Sequence, residues 1–440
     1  MTNVIQRFMH IRREEAWPVL VSGLAFFFIL TALMMLKPAR EALGLERGIE
    51  AIRWLFVGTA VVTLAVNPLF GLMVSRFRRL VFINVAYLFF AVSLLVFYGL
   101  LVMAPAAIGK TSGMVFFVWF SVFNLFATMI FWGVMADRFS LDQGKRLFGL
   151  ITVGGSLGAI AGPWLASQLA KPLGTAALLP IAAGVLGLAM LSLRGVTKLQ
   201  PGHENATIDE RSVIGGSAWD GFRAVTRSPY LLGISAYVLI MTVFATFIYF
   251  TKLHLVAGLG DGLDVRTTVF AKIDLYTQIT TMTMQGFVTG RVMKRLGVPF
   301  ALTLLPITAG LGVAGLAVVA SLAAIVVLQA AYNAVQRGIV RPARETLFTV
   351  VPRTDKYKSK AFIDTFVYRT GDVMGSQVEG ALGRLGTGVA SLISISLPLA
   401  VVWGALGFWL GRRQQRQAEH RFVPTLSAEH SAAAVPLTST

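Results

Sequence analysis

The sequence predicts an all-α integral membrane protein of twelve transmembrane helices arranged in two halves of six. Of its 440 residues, 55% are hydrophobic and only 14% are charged, whereas a soluble domain has about 25% charged residues. The apolar residues form long blocks, and about 20 apolar residues cross a bilayer as a helix. The order of blocks and basic loops in the first half recurs in the second. These three observations together predict the fold class.

The first half comprises residues 1–194 and contains six apolar blocks. We predict spans at 17–36, 51–74, 80–103, 114–135, a fifth ending at 169, and 175–193. The first block is too long for a signal peptide and no small-residue cleavage site follows it. In the fifth block, Gly154, Gly158 and Gly162 recur at steps of four, a spacing that indicates close packing against another helix.

A polar stretch, 195–228, separates the halves and is predicted to be a cytoplasmic linker with a surface helix at 218–226. The second half, 229–411, repeats the plan of the first. Its predicted spans are 229–250, 269–289, 299–319, 323–351, 361–385 and 389–410. A polar tail at 412–440 is rich in Ala, Ser and Thr and is predicted to be disordered.

The net charge of +18 is concentrated in short loops. Basic residues occur on alternate loops, and positive loops are retained on the cytoplasmic side. This predicts cytoplasmic termini and a place in a bacterial inner membrane, and it explains the charge without nucleic acid. The chain has no cysteine and five scattered histidines, and no nucleophile–base pair is recognisable. We therefore predict no metal, no cofactor and no enzyme activity.

Charged residues lie inside two apolar blocks of the second half. Asn333, Arg337, Arg341 and Arg344 recur at steps of four, four and three, and Lys360, Asp364, Tyr368 and Asp372 at steps of four. Each set therefore shares one helical face. Lys272, Tyr276, Thr280 and Thr283 form a further polar face. Because charges at membrane depth are costly, they should face a wet cavity or one another.

We call the face of Asn333, Arg337, Arg341 and Arg344 the arginine face. Two interpretations of it stay open. Basic residues exceed acidic ones on these faces, Lys37, Arg40 and Lys272 can join them, and the planar guanidinium suits bidentate binding of phosphate, which favours an anion site. Alternatively, the arginines pair with Asp364, Asp372 and Glu379 in a structural network.

The two halves also share local motifs. Lys37-Pro-Ala-Arg40-Glu41 ends the first span and Arg341-Pro-Ala-Arg344-Glu345 lies in the tenth. Glycine-led basic loops follow the second and eighth spans. This six-plus-six plan resembles the major facilitator architecture, which implies transport by rocking of one half against the other. We interpret a set of loop cations as gating and topology charges: Arg76, Arg79, Lys145, Arg146, Arg291 and Arg295.

Three places resemble the ATP/ADP translocase (nucleotide carrier) family. They are Phe131-Trp132-Gly133 with Gly144-Lys145-Arg146, Lys37 with Arg40-Glu41, and Pro342-Ala-Arg344-Glu345 with Lys358-Ser-Lys360-Ala-Phe-Ile-Asp364 and Arg369-Thr-Gly371. The resemblance implies exchange of an anionic, phosphorylated solute such as a nucleotide. The candidate solute-binding residues are Lys37, Arg40, Glu41, Lys272, Arg337, Arg341, Arg344, Lys360, Asp364 and Arg369.

The sequence departs from that family at Gln143-Gly144, where an acidic residue and Ala are usual, and at Asp372, where a basic residue is usual. Two alternatives to nucleotide exchange therefore remain. One is proton-coupled transport of another organic anion, with Asp364, Asp372 and Glu379 carrying protons. The other is a transporter-shaped sensor or scaffold that no longer transports. The expected partners are a small anionic solute and the lipid bilayer, and the protein is expected to be a monomer.

Overall fold

The structure is a computed structural model. It describes residues 12–76, 79–104, 106–199, 218–260, 262–287, 289–319, 321–384 and 388–432, and no strand occurs among them. The first half contains six helices of the lengths that its apolar blocks predict. They are α1 Arg13–Leu45, α2 Ile49–Arg76, α3 Arg79–Met103, α4 Ala106–Arg138, α5 Leu141–Leu173 and, after the 3₁₀ turn Thr175–Ala177, α6 Leu178–Leu199.

The helix predicted within the linker is confirmed as α7 Ala218–Arg227, and the second half follows it. The next helices are α8 Pro229–Ala257, α9 Leu263–Phe287 and α10 Thr289–Val318. The remaining helices are α11 Leu322–Val335, α12 Arg341–Leu347, α13 Arg353–Phe362, α14 Tyr368–Arg384 and α15 Gly388–Ala432. A π-helical turn, Gln336–Val340, joins α11 to α12, and a second, Ile363–Val367, joins α13 to α14.

Ten helices among the described residues are long and apolar enough to cross a membrane. The two predicted spans that fall short of this limit are the eighth and the eleventh, which correspond to α9 and to α13 with α14. Both carry several charged residues, such as Asp274 and Asp364. The all-α membrane fold is confirmed, and its two least apolar segments both contribute charges to the candidate sites.

The chain forms two compact units. One contains Met1–Ser212 and Phe250–Ile279, and the other contains Val213–Tyr249 and Thr280–Thr440. The predicted halves differ at one segment, because the end of α8 and most of α9 belong to the first unit. Two polar contacts join this segment to the rest of the first unit: the Thr175 backbone N–H donates to Asp264 at 2.6 Å, and Lys37 bonds Asp274 at 2.7 Å.

In the first unit, α1 packs closely on α5. A side-chain carbon at Gly154, Gly158 or Gly162 would meet the α1 backbone at Gly23, Phe27 or Thr31, respectively. The close packing predicted from the glycine spacing is therefore confirmed. Beside this contact, the Phe26 and Phe131 rings stack with their centroids 4.3 Å apart.

In the second unit, α14 packs closely on α8, where Gly371 lies against Thr242 and Gly375 against Thr246. The surface helix α7 packs on α13 through Gly221, which leaves no room for a side chain beside the Lys358 carbonyl. The final helix continues to Ala432, so residues 412–432 are helical where the composition predicted a disordered tail. Residues 433–440 lie outside the described range.

Candidate functional site

The first charged cluster lies in the first unit, where α1 approaches α9. The Lys37 ammonium bonds the Asp274 carboxylate with Nζ 2.7 Å from Oδ1. The Lys37 side chain is 30% exposed, whereas that of Asp274 is 4% exposed. The pair is therefore accessible from the lysine side only.

Arg40 is held in place by contacts from two helices. Its guanidinium lies over the Phe117 ring, 3.6 Å from the centroid, and its Nε donates to the Phe117 carbonyl at 3.2 Å. Its Nη1 donates to Glu41 Oε1 at 3.2 Å, and the Glu41 side chain is 1% exposed. The stacked and hydrogen-bonded guanidinium is a fixed cation rather than a freely moving one.

Lys252 on α8 completes the cluster and was not predicted from sequence. It is 3% exposed and lies close enough to Glu41 and Asp274 to interact with both electrostatically. The cluster thus contains three cations, Lys37, Arg40 and Lys252, and two carboxylates. In the sequence, Lys252 is a single charge inside an apolar block. Such a charge indicates a functional site, but it does not show which residues Lys252 contacts.

Lys272, which the polar face of α9 suggested as a binding residue, is exposed. Asp274, two residues further on, is buried and makes the contact with α1. The polar face predicted from the sequence thus identified the correct helix, α9. The residue of α9 that joins the cluster is Asp274, which lies on the buried side of the helix.

In the second unit, the arginine face spans the first π-helical turn. Arg337 lies within that turn, Arg341 directly after it and Arg344 one α-helical turn later. A π-helical turn contains more residues than an α-helical turn and commonly marks a functional site. Arg337 and Arg341 are exposed, while the Arg344 side chain is 12% exposed.

Ion pairs connect this face to the next segment. Arg344 Nη2 lies 3.1 Å from Asp364 Oδ1, and Asp364 belongs to the second π-helical turn. Lys360 Nζ lies 2.5 Å from Glu345 Oε2. The two predicted faces are therefore in contact, which is one of the two arrangements that the sequence left open.

Within the α13–α14 segment, Arg369 Nη1 lies 3.2 Å from Asp372 Oδ2. Asp372 therefore neutralises its neighbour rather than an arginine of the first face. Among the described residues, Arg341 has no acidic partner. The Arg344 Nε is buried and has no hydrogen-bond acceptor within the described residues. The network therefore leaves cationic groups that its own acids do not satisfy.

Of the predicted gating residues, Arg146 has a defined partner. Its Nη2 and Nη1 lie 2.9 Å and 3.4 Å from the two carboxylate oxygens of Glu15, and Gln143 donates to the same carboxylate at 3.2 Å. These hydrogen bonds connect α5 to α1. Lys145 is exposed. The side chains of the remaining four, Arg76, Arg79, Arg291 and Arg295, lie outside the described residues.

The helices and the charged residues inside their membrane-spanning segments define a polytopic membrane protein. The Major Facilitator Superfamily model matches residues 8–350, so the chain belongs to that superfamily. Membership establishes a transporter rather than an enzyme. Comparison with curated proteins gives no match.

The fold is also found in a solved structure described as a bacterial homologue of the human lysosomal transporter Spinster, in an inward-facing and unoccupied conformation. The two sequences are 13% identical, the alignment covers 92% of this chain and 99% of that one, and the TM-score is 0.59. At this identity the similarity establishes the fold alone.

Proposed function

We propose that this protein is a secondary transporter of a small anionic, phosphorylated solute, which it moves by alternating access. The observation that carries the proposal is the arginine face of the first π-helical turn and α12. Arg337, Arg341 and Arg344 follow one another along it. Asp364 pairs with Arg344, whereas Arg341 is exposed and has no acidic partner in the part of the chain that the structure describes. A phosphate presents several oxygens to such a surface, and guanidinium forks bind them bidentately.

The solute class is a nucleotide, exchanged across the membrane. This part of the proposal rests on the resemblance to the ATP/ADP translocase family at Lys37, Arg40, Arg344, Lys360 and Asp364. The contacts of Lys37 and Arg344 are compatible with it, because each cation has one acidic partner at its own site and an incoming phosphate can compete with that partner.

A panel of solutes tests the solute class in purified protein. ATP, ADP and inorganic phosphate should raise the thermal unfolding temperature, because a ligand that binds only the folded state stabilises it. Malate and citrate, which carry negative charge without phosphorus, should raise it much less at equal concentration. A shift with malate or citrate alone would exclude the phosphorylated class. No shift with any solute would favour the sensor or scaffold alternative.

A second candidate function, proton-coupled transport of another organic anion, is favoured by one observation. Helix α14 carries Glu379, which is 2% exposed, and Asp372, whose side chain is 18% exposed. Buried acids in membrane helices commonly form proton relays. Uptake of malate or citrate into empty liposomes that a protonophore abolishes would support this function and reassign the acids of α14.

We further propose that both termini and the linker at 195–228 are cytoplasmic, in a bacterial inner membrane. The proposal rests on the alternation of basic and non-basic loops. A phosphatase reporter that works only in the periplasm should be inactive when fused after Arg416. The same reporter fused within 104–113 should be active. The opposite pattern would invert the topology.

A further inference from the structure

The Lys37–Asp274 pair joins an accessible group to an inaccessible one. The Lys37 side chain is 30% exposed, so a solute anion can reach it, while Asp274, at 4%, is covered. A solute anion that takes the place of the Asp274 carboxylate on the Lys37 ammonium breaks this pair. If Asp274 were then left alone, a buried charge would lack compensation, which is strongly unfavourable.

Asp274 uses only one of its two oxygens in the described structure. Oδ1 bonds Lys37, whereas Oδ2 is buried without a hydrogen-bond partner among the described residues. The hydroxyl of Thr277, one helical turn along α9, is also buried and unsatisfied there. Buried polar atoms are nearly always hydrogen-bonded. The unsatisfied oxygens indicate that this face of α9 is built for a further partner.

Lys252 is the cation placed to supply that partner. It is 3% exposed, so no solute reaches it directly, and both Glu41 and Asp274 act on it electrostatically. Its ammonium also lies 5.3 Å from the centroid of the Phe270 ring on α9. The Lys252 side chain therefore extends towards the helix that carries Asp274.

We propose that Asp274 is an internal counter-anion that exchanges partners. It holds Lys37 while no solute is bound and is compensated by Lys252 when a phosphate oxygen of the solute takes Lys37. The inference rests on the proposed function, since it requires an anionic solute. Asp274 is thus a positioning residue: it touches no solute, but it sets the affinity of Lys37 for one.

Thermal unfolding of four single variants tests the exchange without any solute. Lys37→Met leaves Asp274 with Lys252 and should lower the unfolding temperature only slightly. Asp274→Asn removes an acid that acts on the buried Lys252 and also leaves Lys37 without its ion pair, so it should lower the unfolding temperature clearly more. Lys252→Met removes the alternative partner of Asp274. Because Lys37 still pairs with Asp274 in this variant, its unfolding temperature should be close to that of wild type. Lys110→Met, at an exposed lysine on α4 of the same unit, is the control and should have no effect.

The double variant Lys37→Met/Lys252→Met sharpens that test. With both cations removed, Asp274 is buried and uncompensated, so the loss should exceed the sum of the two single losses. If Lys37→Met alone lowers the unfolding temperature as far as Asp274→Asn does, Lys252 does not replace Lys37. The partner exchange is then wrong.

Binding of labelled ATP to the purified protein tests the second half of the proposal. Asp274→Asn removes the internal competitor and should tighten binding about tenfold, which corresponds to about 1.4 kcal/mol. Lys37→Met should weaken it. Unchanged or weaker binding in Asp274→Asn would overturn the counter-anion role. If wild-type protein binds no ATP, inorganic phosphate or other panel anion, the proposed function fails, and the unfolding series still decides whether Asp274 exchanges partners.

Discussion

Gly158→Val is expected to abolish the folded protein. A side-chain carbon at Gly158 would overlap the carbonyl oxygen, carbonyl carbon and Cα of Phe27 on α1. A backbone cannot rotate away as a side chain can, so the helices must separate along their contact. Overpacking against side chains costs about 1–3 kcal/mol, occasionally more, and a clash with backbone lies at or beyond the upper end. The measurement is the yield of monodisperse protein after detergent extraction.

Gly149→Val is the matched control. It places the same side chain on the same helix, at a position where an added carbon meets nothing within 4 Å. Its yield should match wild type. Equal yields from Gly158→Val and Gly149→Val would contradict the close packing of α1 on α5.

Arg344→Ala is expected to have the largest effect on transport. The loss of one charge-assisted contact costs about 1.5–3 kcal/mol of binding, roughly one to two decades in affinity. Arg344→Lys should recover only part of this, because an ammonium keeps the charge but lacks the planar fork. The half-saturating concentration for ATP in reconstituted liposomes measures the effect.

Arg341→Ala separates binding from structure. Arg341 is exposed and has no acidic partner among the described residues, so its removal should weaken transport with no loss of stability. Arg344→Ala also leaves Asp364 unpaired, and this loss should be reduced in Arg344→Ala/Asp364→Asn. If Arg344→Ala prevents folding, the double variant restores both folding and full transport, and Arg341→Ala changes nothing, the arginine face is a structural network.

Much of the membrane plan could be predicted from the sequence, because bilayer thickness imposes a length on every apolar block. The glycine contact of α5 followed from its period of four, since residues at that spacing share a helical face. The two polar faces, with Arg344 on one and Asp364 on the other, were predicted to face either a wet cavity or each other. These two residues form an ion pair at 3.1 Å, so the faces are in contact.

The rest depended on tertiary structure. Glu345 is the acid next to Arg344 in sequence, yet it bonds Lys360. The spacing of polar residues in the sequence does not predict the π-helical turns at Gln336–Val340 and Ile363–Val367, because a π-helical turn is a change in the register of the backbone hydrogen bonds. Lys252 was missed for another reason. A single charge in an apolar block has no periodic partner, and its neighbours Glu41 and Asp274 come from distant segments.

Exchange of labelled ATP tests the central claim most directly. Liposomes containing the wild-type protein and loaded with ADP should take up external ATP, whereas empty liposomes should take up little. A protonophore should not change the rate, and Arg341→Ala should raise the half-saturating ATP concentration. Uptake of malate or citrate in place of ATP, or ATP uptake that ignores internal ADP and collapses with the protonophore, would contradict the account.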